Sequence, residues 1–147
     1  MRTHKLKSET VETSSRVQMV DVTQRIQKLM LANRVESGLA VVVVPHTTAG
    51  ITLQENADPN TQHDLLKKLE TLVPQMESFY QHDEGNSDAH VKSALVGNSV
   101  TIPIDGGRLV LGKWQAVYFC EFEGEGHEQC RRHLRIRDVE HEIGAIE

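Results

Sequence analysis

Leu39-Ala40-Val41-Val42-Val43-Val44-Pro45 is the segment that most limits how this chain can fold. Branching at Cβ crowds a helical turn but suits a pleated strand. An apolar run of strand length, with no polar alternation, predicts a central strand covered on both faces. Pro45 ends it, because proline has no backbone N–H to give to a ladder. The rest of the chain must supply the two covering layers.

The flanking residues suggest how. The first twenty residues alternate weakly around Leu6, Val11, Val17 and Val20 and suit one or two edge strands. Asp21-Val22-Thr23-Gln24 has the spacing of a capping box, and Ile26, Leu29, Met30 and Asn33 follow at helical spacing up to Gly38. A short strand is expected over Ile51–Gln54. Asp58 and Pro59 then open a second helix whose stripe is Leu65, Leu66, Leu69, Leu72 and Val73, ended by Pro74. Residues 75–88 form a long polar connection, of the kind that compact domains keep for a site. A short helix from Ser87 to Leu95 or Val96 closes at Gly97. The remainder reads as antiparallel strands: Ser99–Ile104, a turn at Asp105-Gly106-Gly107, Arg108–Leu111, Trp114–Phe122, and Arg132–Val139 after the glycines Gly124 and Gly126. The expected fold is a single α+β domain over residues 1–147, mainly antiparallel β-sheet or sandwich with two to three helices.

Composition excludes several functions. At 147 residues with 38% hydrophobic and 25% charged, the chain can bury a core without disulfide or metal staples. Sixteen basic against 21 acidic residues give a net charge of −5, the wrong sign for wrapping a duplex, so no nucleic-acid partner is expected. The run Arg131-Arg132-His133-Leu134-Arg135-Ile136-Arg137 alternates with apolar residues; the exposed face of a strand is the preferred reading, a phosphate-contacting strip the other. Cys120 and Cys130 form no C-x-x-C pair, and Cys120 reads as a small buried residue. The basic start Met1–Lys7 is followed by Ser, Glu and Thr, and no stretch reaches the roughly eighteen apolar residues of a membrane span. The expected compartment is the cytoplasm, with no membrane partner.

Eight histidines distribute unevenly. His4, His63, His127, His133 and His141 stand in polar surroundings and read as surface residues. His82 and His90 flank the cluster His82-Asp83-Glu84-Gly85-Asn86-Ser87-Asp88-x-His90, which a turn at Gly85 folds back towards one point. Imidazole with carboxylate suits a borderline divalent metal such as zinc; a polar loop with Asp88 or Ser87 as an N-cap explains the same residues. His46 directly follows the valine strand, where it either caps the strand end or presents a ring from a rigid support. Thr47 and Thr48 add hydroxyls, and Ala49-Gly50 lets backbone N–H groups approach an anion. Glu55, Asn56 and Asp58 face the same pocket or cap the second helix. The sole tryptophan, Trp114, is more plainly a core residue, with stacking on an aromatic ligand, helped by Gln115, as the other reading. No Ser-His-Asp order or nucleophile elbow is present.

These blocks resemble the YjbQ family, an uncharacterised-protein family also labelled secondary thiamine-phosphate synthase. The resemblance lies in His46-Thr47-Thr48-Ala49-Gly50-Ile51, Glu55-Asn56-Ala57-Asp58-Pro59, and Glu84-Gly85-Asn86-Ser87-Asp88-Ala89-His90-Val91-Lys92. It continues through Ser99–Ile104, Gly107, Leu109, Leu111-Gly112, Trp114-Gln115 and Phe119-Cys120-Glu121-Phe122. One position departs: Lys113 stands where the family usually has threonine. The resemblance implies an α+β homotrimer with a polar pocket near the subunit contacts, lined by His46, His82 and His90 as metal ligands.

It further implies weak thiamine-phosphate synthase activity, an alkyl-group transfer joining a hydroxymethylpyrimidine diphosphate to a thiazole phosphate; the imidazoles and carboxylates themselves add the expectation of a divalent metal, zinc or magnesium. In that reading His46, Glu55 and Asp88 are catalytic, while Thr47, Thr48, Trp114 and Gln115 hold the small phosphorylated metabolite. A trimer that only binds a metal or phosphometabolite is the alternative, and a hydrolase of small phosphorylated metabolites the third reading.

Overall fold

The computed structural model describes residues 2–3, 6–124 and 130–140, which form nine strands and three helices. His4, His127 and His141, with Gly126, lie outside the described residues. The elements run β1 (Arg2–Thr3), β2 (Lys7–Thr13), β3 (Gln18–Asp21), α1 (Thr23–Ala32), β4 (Ser37–Val43), β5 (Ala49–Glu55), α2 (Pro59–Leu72), α3 (Ser87–Val96), β6 (Ser99–Asp105), β7 (Arg108–Leu109), β8 (Gln115–Glu121) and β9 (Cys130–Glu140). All pairings among them are antiparallel. One sheet has the order β1-β9-β4-β6-β7, with β2 also on β9, and the second is β3-β8-β5. Among the described residues no helix is long and apolar enough to cross a membrane.

The layers are sheet, sheet and helices. The six-stranded sheet turns Val11, Ala40, Val42, Ile102, Leu134 and Ile136 inward, against Ile26 and Met30 of α1 and Ile51, Val117 and Phe119 of the smaller sheet. On that sheet's far side, Ala89, Ala116, Tyr118 and Cys120 meet Leu66 and Leu69 of α2 and Val96 of α3. The doubly covered strand is therefore β8, buried from Ala116 through Glu121. The valine strand β4 is central, between β9 and β6, but within one chain its faces differ. Ala40 and Val42 are buried and Leu39 is 40% exposed, because no described segment packs on the outer side.

Two helix boundaries differ from the sequence expectation. Val22 occupies the N-cap of α1 without a side-chain cap, and Asp21 Oδ1 instead accepts from Thr23 N (3.0 Å) and Thr23 Oγ1 (2.6 Å). The Thr23 hydroxyl oxygen accepts from Val117 N at 2.8 Å, so the helix start is tied to β8. The helix stops at Ala32, where Asn33 Nδ2 donates to Leu29 O at 2.7 Å. Gly38 lies inside β4 at φ 145, and a Cβ there would sit 1.9 Å from Val139 O. It permits close strand pairing with β9 instead of ending a helix. By contrast α2 begins as expected, Asp58 accepting from Asn60 N at 2.9 Å with Pro59 in the first turn. Helix α3 ends at Gly97 as the sequence predicts.

Candidate functional site

The corner at His46 arises where the chain leaves one sheet for the other. Val44 N donates to Asn98 O at 2.8 Å, and residues 46–48 then cross to β5. His46 Nε2 accepts from His133 N at 3.0 Å, and the two imidazoles stack with centroids 6.0 Å apart. His133 thus has a partner and is half-buried, unlike the free surface histidine expected from its polar neighbours. Burial, followed by the positive charge of Arg132 and by His133, pushes the His46 pKa below its ordinary value. With Nε2 accepting a backbone proton, the neutral ring carries its own proton on Nδ1.

Beneath this corner lies a buried ion pair. Glu121 is fully buried, and its Oε1 and Oε2 accept from Arg132 Nη2 (2.7 Å) and Nε (2.8 Å). Thr13 Oγ1 and Glu123 N, each at 3.0 Å, supply further donors to the same carboxylate. Arg132 Nη2 also donates to Thr48 Oγ1 at 3.0 Å, so the ion pair fixes the threonine. The hydrogen bonds to Glu121 outweigh burial and raise the Arg132 pKa. Strand parity explains the pair: Arg132 shares the inward side of β9 with Leu134 and Ile136, while Arg131, Arg135 and Arg137 are exposed. The exposed-face reading of the basic run holds for those three and fails for Arg132, whose shared parity with Leu134 and Ile136 was the signal.

Two adjoining recesses open at the corner. One, of about 490 Å³, has His46, Thr47, Thr48, Asn98 and Arg132 among its walls. The other, of about 380 Å³, shares His46, Thr47 and Asn98 and adds His90 and Ser93 from α3. Ser93 Oγ donates to Ala49 O at 2.6 Å and pins that helix to β5. Close packing helps: a Cβ on Gly50 would lie 2.7 Å from Gly97 O.

His82 and His90 come together edge to face, with centroids 5.4 Å apart, and Glu84 lies 3.5 Å from His82 Nε2. Among the described residues no group of three His, Cys, Asp or Glu side chains assembles a metal-binding set. A zinc ion takes three or four such donors. The described residues of one chain therefore bring two imidazoles together, a partial fit. Asn86, the N-cap of α3, is buried, and its Oδ1 meets no donor among the described residues.

The remaining candidates lie elsewhere. Asp88 is fully buried in the first turn of α3, held by Arg16 (3.0 and 3.1 Å) and Lys92 (2.8 Å). Burial pushes its pKa up, but the hydrogen bonds and charges of Arg16 and Lys92 outweigh that and hold the carboxyl below the usual range. It is neither an N-cap nor a wall of the His46 recesses. Glu55 ends β5, where Thr61 Oγ1 donates to its carboxylate and Gln62 Nε2 to its carbonyl, bracing the start of α2. Gln115 pairs opposite Glu55, and its Oε1 accepts from Gly112 N at 2.8 Å. Trp114 is 56% exposed, with Lys113 Nζ 4.8 Å from its ring centre, so the core reading of this tryptophan is overturned. Glu55, Trp114 and Gln115 share the end of the small sheet opposite the His46 corner, six residues along β5 or about 20 Å away.

A two-sheet α+β chain with paired imidazoles at a polar corner is the class that this geometry defines. The chain belongs to the YjbQ family: the family model described as UPF0047 protein YjbQ-like matches residues 7–140. The UPF0047 protein YugU of Bacillus subtilis is 41% identical over 125 residues, covering 85% of this chain and 95% of that protein. A UPF0047 protein of Methanocaldococcus jannaschii is 49% identical over 114 residues, 78% of this chain and 82% of its own length. Among solved structures, an uncharacterised YjbQ/UPF0047 protein from Clostridium acetobutylicum superposes with a TM-score of 0.84 at 41% identity, covering 90% of this chain and 99% of that one. A hypothetical protein from Aeropyrum pernix gives 0.85 at 31% identity, with 94% and 100% covered.

Proposed function

We propose that the His46 corner binds a small phosphorylated metabolite and carries the diphosphate-displacing transfer implied by the resemblance to the YjbQ family. The observation that carries this reading is the shared cavity wall: His46 and His90 line one recess with Thr47, Ser93 and Asn98. The imidazoles, the Thr47 hydroxyl and the Asn98 amide suit phosphate oxygens, while the Ser93 hydroxyl proton goes to Ala49 O. In the reaction a thiazole nitrogen attacks the methylene carbon of the pyrimidine diphosphate. The carbon–nitrogen bond forms as the carbon–oxygen bond breaks, and diphosphate leaves with the electron pair. His46 and Thr47 donate to the departing diphosphate, and His90 exchanges a proton with it.

The Glu121–Arg132 pair acts as support: Arg132 fixes Thr48, and its charge adds to burial, the larger cause, in lowering the His46 pKa. Glu55, Trp114 and Gln115 join the site only if a neighbouring copy brings its sheet end to this corner. Homotrimer assembly is therefore part of the proposal, and the partly open face of β4 at Leu39 supports it. Purified protein is assayed with both substrates, alone and with zinc or magnesium, after excluding a contaminating synthase. Turnover lost in the double variant His46→Ala, His90→Ala is expected; turnover that persists removes the assignment. Light scattering that gives a monomer at micromolar concentration removes the trimer.

A second reading, metal binding without catalysis, is favoured by the His82–His90 pairing and the orphaned Asn86 carbonyl one turn before His90. It requires at least one donor beyond the described residues of one chain. Stoichiometric zinc retention with no turnover of diphosphate substrates would select it.

A further inference from the structure

A cavity larger than either recess at His46 adjoins α3. A cleft of about 630 Å³ lies on the helix's other side, between α2, α3 and the β2–β3 connection, and Arg16, Asp88 and Lys92 form its charged wall. Asp88 and Lys92 stand one turn apart on that side, whereas His90 and Ser93 line the His46 recess. Volumes of this size hold whole small molecules.

Among the described residues the charge count in this wall does not close. Arg16 alone satisfies both oxygens of Asp88, at 3.0 and 3.1 Å. Lys92 is a second cation on the same carboxylate, 2.8 Å from Oδ2, and its side chain is only 3% exposed. The cluster therefore holds two positive charges against one negative. A buried ammonium lacking its own counter-ion is costly. Its three hydrogens find one acceptor among the described residues, Asp88 Oδ2. A simple clamp between the β2–β3 connection and α3 would need Arg16 and Asp88 only.

The rim leaves that excess standing. Lys67 and Glu70, 3.8 Å apart, are both exposed and offset each other, and His63 lies 3.0 Å from Asp64. Val17, Leu66 and Pro74 also line the cleft and supply its apolar part. We propose that this cleft is a second ligand site, which binds a small organic carboxylate with its head group on Lys92 and Arg16 and its apolar body against Val17, Leu66 and Pro74. One excess charge matches a monoanion. A phosphate dianion would leave a negative charge uncompensated in the same wall.

The test uses the full chain and three probes: benzoate, phenyl phosphate and inorganic phosphate. Each is titrated by calorimetry and by amide NMR shifts. Saturable benzoate binding is expected, with shifts at Arg16, Leu66 and Lys92, and tighter than phenyl phosphate. Arg16→Gln should weaken it about tenfold, the loss of one charge-assisted contact. Thr71→Trp, placed on the exposed rim without touching the ion cluster, should fill the cleft and abolish binding. His46→Ala should leave benzoate affinity unchanged, which separates this site from the proposed phosphate corner. If Arg16→Gln does not fold, Thr71→Trp decides alone. The proposal is overturned if benzoate does not bind saturably, if binding survives Thr71→Trp, or if it is lost in His46→Ala.

Discussion

Replacing Glu121 by Gln tests the buried ion pair beneath the candidate site. The carboxylate is fully buried and receives four hydrogen bonds, two from Arg132 and one each from Thr13 and Glu123. Gln keeps the shape but removes the charge, and its amide NH₂ faces donors instead of acceptors. Arg132, only 13% exposed, is left as an uncompensated cation. Breaking a buried pair from one side costs about 3–5 kcal/mol, a large share of the roughly 5–15 kcal/mol that holds a domain folded. With a urea m-value of about 2 kcal/mol/M, the unfolding midpoint should fall by about 1.5–2.5 M. The double variant Glu121→Gln, Arg132→Met removes the stranded charge and should regain at least about 2 kcal/mol over the single one. Urea melts followed by circular dichroism, at one fixed protein concentration, measure all of this. A single-variant loss below about 1 kcal/mol, or a double variant no more stable than the single, would refute the reasoning.

Three further outcomes follow from the same structure. His46 has a folded-state pKa below the ordinary 6.5, chiefly because it is buried, so the unfolded chain binds its proton more readily. Its contribution to stability is present above pH 6.5 and is lost as pH falls through the lowered folded value. Imidazole NMR should show His46 protonated on Nδ1 and titrating below 6.5, and a titration at or above that value contradicts the assignment. Cys120 is buried, which pushes its thiol up to about 12, so a thiol reagent at neutral pH should leave it unmodified until the chain unfolds. Mass spectrometry finding rapid labelling of Cys120 in the native protein would disprove this. Gly50→Ala should cost about 1–3 kcal/mol, because the new Cβ meets the Gly97 carbonyl oxygen at 2.7 Å and neither backbone can move freely. An unchanged melting temperature would show that α3 is free to slide on β5.

Local pattern carried much of the architecture. Turn and cap residues around Asp58-Pro59 and Gly97 placed the limits of α2 and α3, because those positions depend on nearby backbone chemistry. The valine run located the centre of the larger sheet for the same reason. It did not decide which strand is covered twice, since coverage depends on what packs above each face; β8 took that place by lying between α1 and the larger sheet on one side and α2 and α3 on the other.

At the site, the spacing of His82 and His90 left open a meeting of the rings or a plain polar loop, and the rings meet across one short loop. Glu55, Trp114 and Gln115 share family motifs with His46, yet β5 carries them to the opposite end of the small sheet. Motif order cannot show that separation. The sequence determined which residues have the chemistry for a ligand, because side-chain type is local. Only tertiary structure joined Arg132 to Glu121, and Arg16 to Asp88 across 72 positions, because a charge finds its partner through the packing of distant strands and helices.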